Sequence, residues 1–199
     1  MFCLGNQRSD IHEGFRDAAD AVWTQVGREI GRSADAGETL FVTGHSLGAA
    51  LALATLDRAR EEIPIHQAEV YIFGCPRVGR DPFRVRYNNT FGGTTYRLVH
   101  GDDIVATVPP TEFDFHHVGR LLSCARGARF CAEDLDKRFD TDAPLADCGI
   151  FGDIRQRLRG LVMGPRSLSS RHDILGALSE LLSPSIGDHL PDRYIAALA

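Results

Sequence analysis

No apolar run in the chain approaches the ~20 residues that a helix needs to cross a bilayer, so the sequence offers no helical membrane span. The opening stretch Met1-Phe2-Cys3-Leu4-Gly5-Asn6-Gln7-Arg8 has no long apolar core and does not read as a secretory signal. A cytoplasmic location is the default on that ground. There is no C-x-x-C pair among Cys3, Cys75, Cys124, Cys131 and Cys148 to suggest structural zinc. An odd, scattered set of five cysteines does not form a disulfide framework. Cys124 and Cys131 could pair in an oxidising compartment, but free or buried thiols are the better-supported reading. A basic balance is absent too: the net charge is −5, which argues against a nucleic-acid partner. The arginine clusters Arg120/Arg126/Arg129 and Arg155/Arg157/Arg159 read as solvated faces, not as a phosphate track. Internal repeats and low-complexity linkers are also lacking.

What is present suits a packed core. The chain has 199 residues, 43% of them hydrophobic, and reads as one domain over residues 1–199. Ile11, Phe15, Ala18, Ala19, Val22, Val26 and Ile30 recur at helical spacing and predict a helix from about Glu13 to Gly31. A strand over Leu40–Thr43 leads into a helix over Leu47–Arg60, rich in Ala and Leu. Glu69–Phe73 reads as a second strand, closed by Gly74-Cys75-Pro76, and Thr94–Val99 as a third. Strand, helix, strand in this order predicts a parallel sheet with helical crossovers. Beyond Pro109-Pro110 the periodicity weakens. Ala132–Cys148 is acidic and reads as a surface loop. Gly152–Met163, Asp173–Leu182 and Pro191–Leu198 read as helices.

Between the first strand and its helix lies Gly44-His45-Ser46-Leu47-Gly48. A G-x-S-x-G at a strand-to-helix turn is a nucleophile elbow, which lifts a serine hydroxyl above the end of the sheet. A Cβ at Gly44 or Gly48 is expected to collide with the neighbouring strand or helix. A serine needs a base to take its proton, and the base needs a group to orient it. The acid should follow a later strand, where Asp102 and Asp103 both stand after Gly101. Spacing does not choose between them. The base should come later still, from His116, His117, His172 or His189. His189 sits in a loop before a short helix, a placement that suits a catalytic base, but the pattern alone leaves all four open. One oxyanion donor is expected at the Leu47 backbone N–H.

Several segments together resemble the class 3 lipases, the fungal-type triacylglycerol lipase family. Ile11-His12-Glu13-Gly14-Phe15 is similar to the family's V-H-x-G-F. Val42 to Ala52 is similar to T-G-H-S-L-G-G/A-A-L-A, and Tyr71 to Gly79 to Y-x-F-G-x-P-R-V-G. Asp103 to Pro110 resembles D-I-V-P-x-L-P-P, Phe115 to Gly119 resembles Y-x-H-x-G, and Asp188 to Tyr194 resembles D-H-x-x-x-Y. The match is close over residues 11–119 and returns over 187–198. The resemblance implies an α/β-hydrolase fold with a mostly parallel sheet flanked by helices. It implies Ser46 as nucleophile, Asp103 over Asp102 as acid, and His189 as base, with His172 next in line. His45 and His117 become structural histidines near the site. The implied reaction is hydrolysis of carboxylic esters, acylglycerols above all, through an acyl-enzyme. No metal or cofactor is implied. The implied partner is a lipid or small ester, with contact at a lipid interface.

The sequence departs from the family in two places. Ala106 stands where the family has proline. The family also carries several strands before V-H-x-G-F, one with an F-R-G-S/T that supplies the second oxyanion donor, and then a lid. This chain opens about ten residues before His12. The expectation is therefore a domain incomplete on its N-terminal side, without that donor or lid. Two alternatives accompany the lipase reading: a catalytically impaired lipase-like fragment or binding protein, and a phospholipase A1 or feruloyl-type esterase sharing the same motifs. The family is often secreted, which opposes the cytoplasmic default.

Overall fold

The computed structural model describes residues 10–139 and 186–199. Helix α1 spans Glu13–Asp35, strand β1 Leu40–His45, helix α2 Leu47–Glu62 and strand β2 Ala68–Phe73. Helix α3 spans Asp81–Phe91, strand β3 Thr95–His100 and strand β4 Arg120–Cys124. The short helices α4, Ile186–His189, and α5, Pro191–Leu198, close the described chain. The four described strands form one sheet in the order β1-β2-β3-β4. Every pairing is parallel, with Val42 opposite Val70, Tyr71 opposite Tyr96 and Leu98 opposite Leu122. This is the α/β-hydrolase arrangement of a parallel sheet with helical crossovers, and it brings the C-terminal ends of all four strands to one edge.

One face of the sheet carries the core. Val70 and Ile72 are buried among Leu53, Ala50 and Leu56 of α2, with Val42 packed against them. On α3, Phe83, Tyr87 and Phe91 follow one another at four-residue spacing. Their rings meet at a tilt, with centroids 5.6 and 5.5 Å apart, and all three are buried. Alternation sends Phe41, Tyr71 and Tyr96 to the opposite face. There Phe41 is 72% exposed and Tyr71 stacks on Tyr96 at 5.1 Å. Tyr194 of α5 covers the C-terminal end of that face, with its ring edge-on to Phe73 at 5.9 Å.

The structure extends or corrects several sequence expectations. Helix α1 runs four residues past Gly31. Its buried stripe is rotated from the expected one: Ala19 and Ala34 are buried, while Val22 is 49% exposed. Trp23 turns toward α2 instead, where Arg58 lies over its ring at 4.5 Å and Glu62 accepts its indole N–H at 3.0 Å. Helix α3 and strand β4 were not expected. Helix α5 matches the predicted Pro191–Leu198. The helices expected over Gly152–Met163 and Asp173–Leu182 lie outside the described residues, as do Cys3, Cys148 and Arg155 to Arg159. Cys75, Cys124 and Cys131 are free. Arg126 is largely exposed, as expected of a solvated face, and it also pairs with Asp188 at 2.6 Å.

The two elbow glycines differ. A Cβ on Gly44 would stand 2.7 Å from the Gly48 carbonyl oxygen and 2.8 Å from the Ala49 Cα, because α2 crosses directly over the end of β1. A Cβ on Gly48 would meet nothing within 4 Å, so the collision expected there does not occur. Gly44→Ala should lower stability by about 1–3 kcal/mol through overpacking. Gly48→Ala should be neutral or add up to about 1 kcal/mol through helix propensity. Urea unfolding of both variants beside the parent checks the contrast; equal midpoints would contradict it.

Candidate active site

Ser46 sits between β1 and α2 at φ 56°, ψ −127°. A non-glycine residue at positive φ costs about 1–3 kcal/mol and persists only where its surroundings hold it. The holding is visible: the Ser46 N–H donates to the Phe73 carbonyl at 2.9 Å. The Ser46 carbonyl accepts the first turn of α2, from Ala49 N–H at 3.1 Å and Ala50 N–H at 3.3 Å. The hydroxyl therefore rises above the strand ends at the N-terminus of α2.

Asp103 stands at the end of β3 and is wholly buried. It caps the short 3-10 turn Ile104–Thr107, with Oδ1 accepting the Val105 N–H at 2.9 Å. Its two oxygens each lie 2.9 Å from His189 Nδ1. A carboxylate only accepts, so Nδ1 carries the proton and Nε2 is free to accept. Ser46 Oγ–H donates to that Nε2 at 2.8 Å. Asp102 turns away, toward Arg126 at 3.4 Å. Of the two aspartates that spacing left open, Asp103 is the one facing the histidine.

The other histidines have different partners. The His116 ring lies 3.0 Å from Asp114. His117 is buried and donates from Nε2 to the Ala106 carbonyl at 2.7 Å, supporting the turn that carries Asp103. His45 donates from Nε2 to the His189 carbonyl at 2.8 Å and lies against the His189 ring at 4.6 Å. Burial lowers His45 below the ordinary histidine range. His172 lies outside the described residues.

Sequence reasoning passed over three features of this site. Gly74, at φ +53°, is its floor: a Cβ there would lie 2.6 Å from Asp103 Oδ2 and 2.9 Å from His189 Nδ1. The signal was a glycine closing a strand just before Cys75-Pro76. Tyr194 donates its hydroxyl to Asp103 Oδ2 and accepts the His100 N–H at 3.3 Å. Its spacing from His189 was visible, its role was not. Asp188 and Arg126 form the third feature, an ion pair beside the Ser46, His189 and Asp103 cluster.

The arrangement can draw the Ser46 proton onto His189 while Asp103 stabilises the resulting imidazolium. The class 3 lipase model, "Lipase (class 3)", matches residues 3–113, more than half of the chain. The chain belongs to the class 3 lipases. Among its relatives, the secreted mono- and diacylglycerol lipase 1 of Fusarium solani is 35% identical over 114 residues, covering 54% of this chain and 32% of that protein. The lipase of Rhizopus niveus is 37% identical over 136 residues, covering 64% of this chain and 34% of that one. The solved structure of lipase II from Rhizopus niveus superposes with a TM-score of 0.54 at 28% identity, over 64% of this chain and 51% of that one. The chain thus spans about a third of the length of the curated relatives it matches.

The buried histidine under the site makes a pH prediction. Burial, with the charges of Arg97 and Arg77, holds His117 well below the ordinary value, so the folded class 3 lipase chain excludes a proton there. The unfolded chain binds that proton below about pH 6.5, so stability falls with pH from there by up to about 1.4 kcal/mol per unit. His117→Gln keeps a donor for Ala106 but cannot titrate. Unfolding midpoints at pH 7, 6 and 5 should fall less steeply in the variant; an unchanged slope would contradict the assignment.

Proposed function

We propose that the chain is a carboxylic ester hydrolase of lipase type, acting through Ser46 as nucleophile, His189 as base and Asp103 as the orienting acid. The observation that carries this is the unbroken relay from Ser46 Oγ through His189 Nε2 and Nδ1 to Asp103, with contacts of 2.8 and 2.9 Å. Attack of Oγ on the ester carbonyl passes the serine proton to Nε2. The buried Asp103 carboxylate stabilises the imidazolium without taking the proton. The oxyanion forms at the N-terminus of α2, where the Leu47 N–H and the positive end of the helix dipole favour negative charge. Collapse expels the alcohol, protonated by His189, and leaves Ser46 acylated. Water, deprotonated by the same histidine, then releases the acid.

Acylglycerols are the favoured substrate class, since the relatives carry names such as mono- and diacylglycerol lipase. Leu47 and Leu190 directly follow the serine and the histidine in sequence and are both exposed, apolar surface that is compatible with an acyl ester. No step calls on a metal or cofactor.

Hydrolysis of p-nitrophenyl butyrate by the purified chain, beside Ser46→Ala, is the test. Removing the nucleophile should reduce turnover by at least about 10³-fold, toward the background rate. Equal rates in the two proteins would defeat the proposal.

A further inference from the structure

Asp188 immediately precedes His189, yet it faces a different partner. Its side chain is 5% exposed. Oδ2 accepts the Asp102 N–H at 2.9 Å and the Arg126 Nη2–H at 2.6 Å, while Arg126 Nε–H reaches both oxygens at 3.0 Å. Gly101 lies under it at φ +56°, where a Cβ would stand 2.6 Å from Oδ2. The Gly101 N–H is tied in turn to the Cys124 carbonyl at 2.9 Å. The pairing is in step with the triad: Asp188 meets Asp102 as His189 meets Asp103, and each pair is 86 residues apart. Arg126 comes from a third segment, just past β4, and also reaches the Asp102 carboxylate.

We propose that Asp188, gripped by Arg126, is a positioning residue that sets the His189 imidazole in register with Asp103. The role given to His189 rests on the ester-hydrolase reading. The physical argument is one of anchorage. His189 arrives on a four-residue turn, too short to hold an angle by itself. A hydrogen bond to the backbone of the residue next to Asp103 fixes the approach of the base directly on the segment that carries the acid. The forked guanidinium then fixes the carboxylate in plane, which a single donor would not do. Burial would raise the Asp188 carboxyl, but the Arg126 and Asp102 hydrogen bonds and the charges of Arg126 and His100 hold it below the ordinary range. It therefore stays ionised, and the grip persists, at neutral pH.

The experiment uses the full chain as Asp188→Ala, Asp188→Asn, Arg126→Met and Arg126→Lys. Proton–nitrogen NMR reads the His189 Nδ1–H signal, assigned by its loss in His189→Gln. The second-order rate of Ser46 labelling by a fluorophosphonate is measured per folded molecule. The expected result is a shifted or exchange-broadened Nδ1–H signal and at least tenfold slower labelling in Asp188→Ala and Arg126→Met. Asp188→Asn, which keeps the acceptor, should fall between these and the parent, and Arg126→Lys should recover part of the loss. An Nδ1–H signal and a per-molecule rate unchanged in the folded variants, with only the unfolding midpoint lowered, would overturn the proposal. If Asp188→Ala does not fold, Arg126→Met decides, because that side chain is largely exposed. If the parent itself does not label, the ester-hydrolase reading fails, while the NMR signal still decides the positioning role.

Discussion

The buried Asp103 carboxylate is the constraint on which the rest of the site depends. An ion wholly removed from water costs several kcal/mol unless it is paired and hydrogen-bonded. Here the partners come from three places in the chain: the Val105 N–H beside it, the Tyr194 hydroxyl on α5 and the His189 Nδ1–H on α4. Satisfying one charge therefore draws the C-terminal segment back onto the sheet. It also dictates Gly74, since a Cβ there would occupy the space taken by the Asp103 oxygen and the His189 ring. The burial of Tyr194 against Phe73 and His100 shares in the same closure.

A second constraint works on the serine. The sheet is parallel, so its strand ends and the N-terminus of α2 meet at one edge. Gly44 lets α2 start directly above β1, and Ser46 absorbs the reversal in a strained conformation. The strain is held by hydrogen bonds to β2 on one side and α2 on the other. The fold and the proposed chemistry share these contacts, so the Ser46 hydroxyl is fixed before any substrate arrives. Such preorganisation is what a general-base relay requires, because a displaced base loses its line to the hydroxyl.

How much was legible follows the range of each interaction. The first three strands and helices α1, α2 and α5 were readable because their signals are local: apolar periodicity, alternation, a proline at the first turn. Helix α3 was missed although Phe83, Tyr87 and Phe91 give one apolar stripe, because arginines and asparagines fill the positions between them. Strand β4 was missed because five residues carry too little pattern. Its existence depends on β3 accepting a neighbour. At the site, the elbow was local and visible. The choice between Asp102 and Asp103 was not, because it depends on which carboxylate the returning chain meets; family resemblance made that choice, and the structure sets Asp103 before His189. The pair of Arg126 and Asp188 spans 62 residues and left no local trace. Gly48 was over-read, since a motif glycine need not be a packed one.

The most direct measurement is covalent labelling by a fluorophosphonate, located by peptide mass spectrometry, in the parent chain and in Asp103→Asn. The account requires the label on Ser46 alone. It requires the labelling rate to fall by about 10³-fold or more in Asp103→Asn with the fold intact, since the amide leaves the imidazole in the wrong tautomer. Label spread over other residues, or a rate that does not depend on Asp103, would contradict the relay as the source of reactivity.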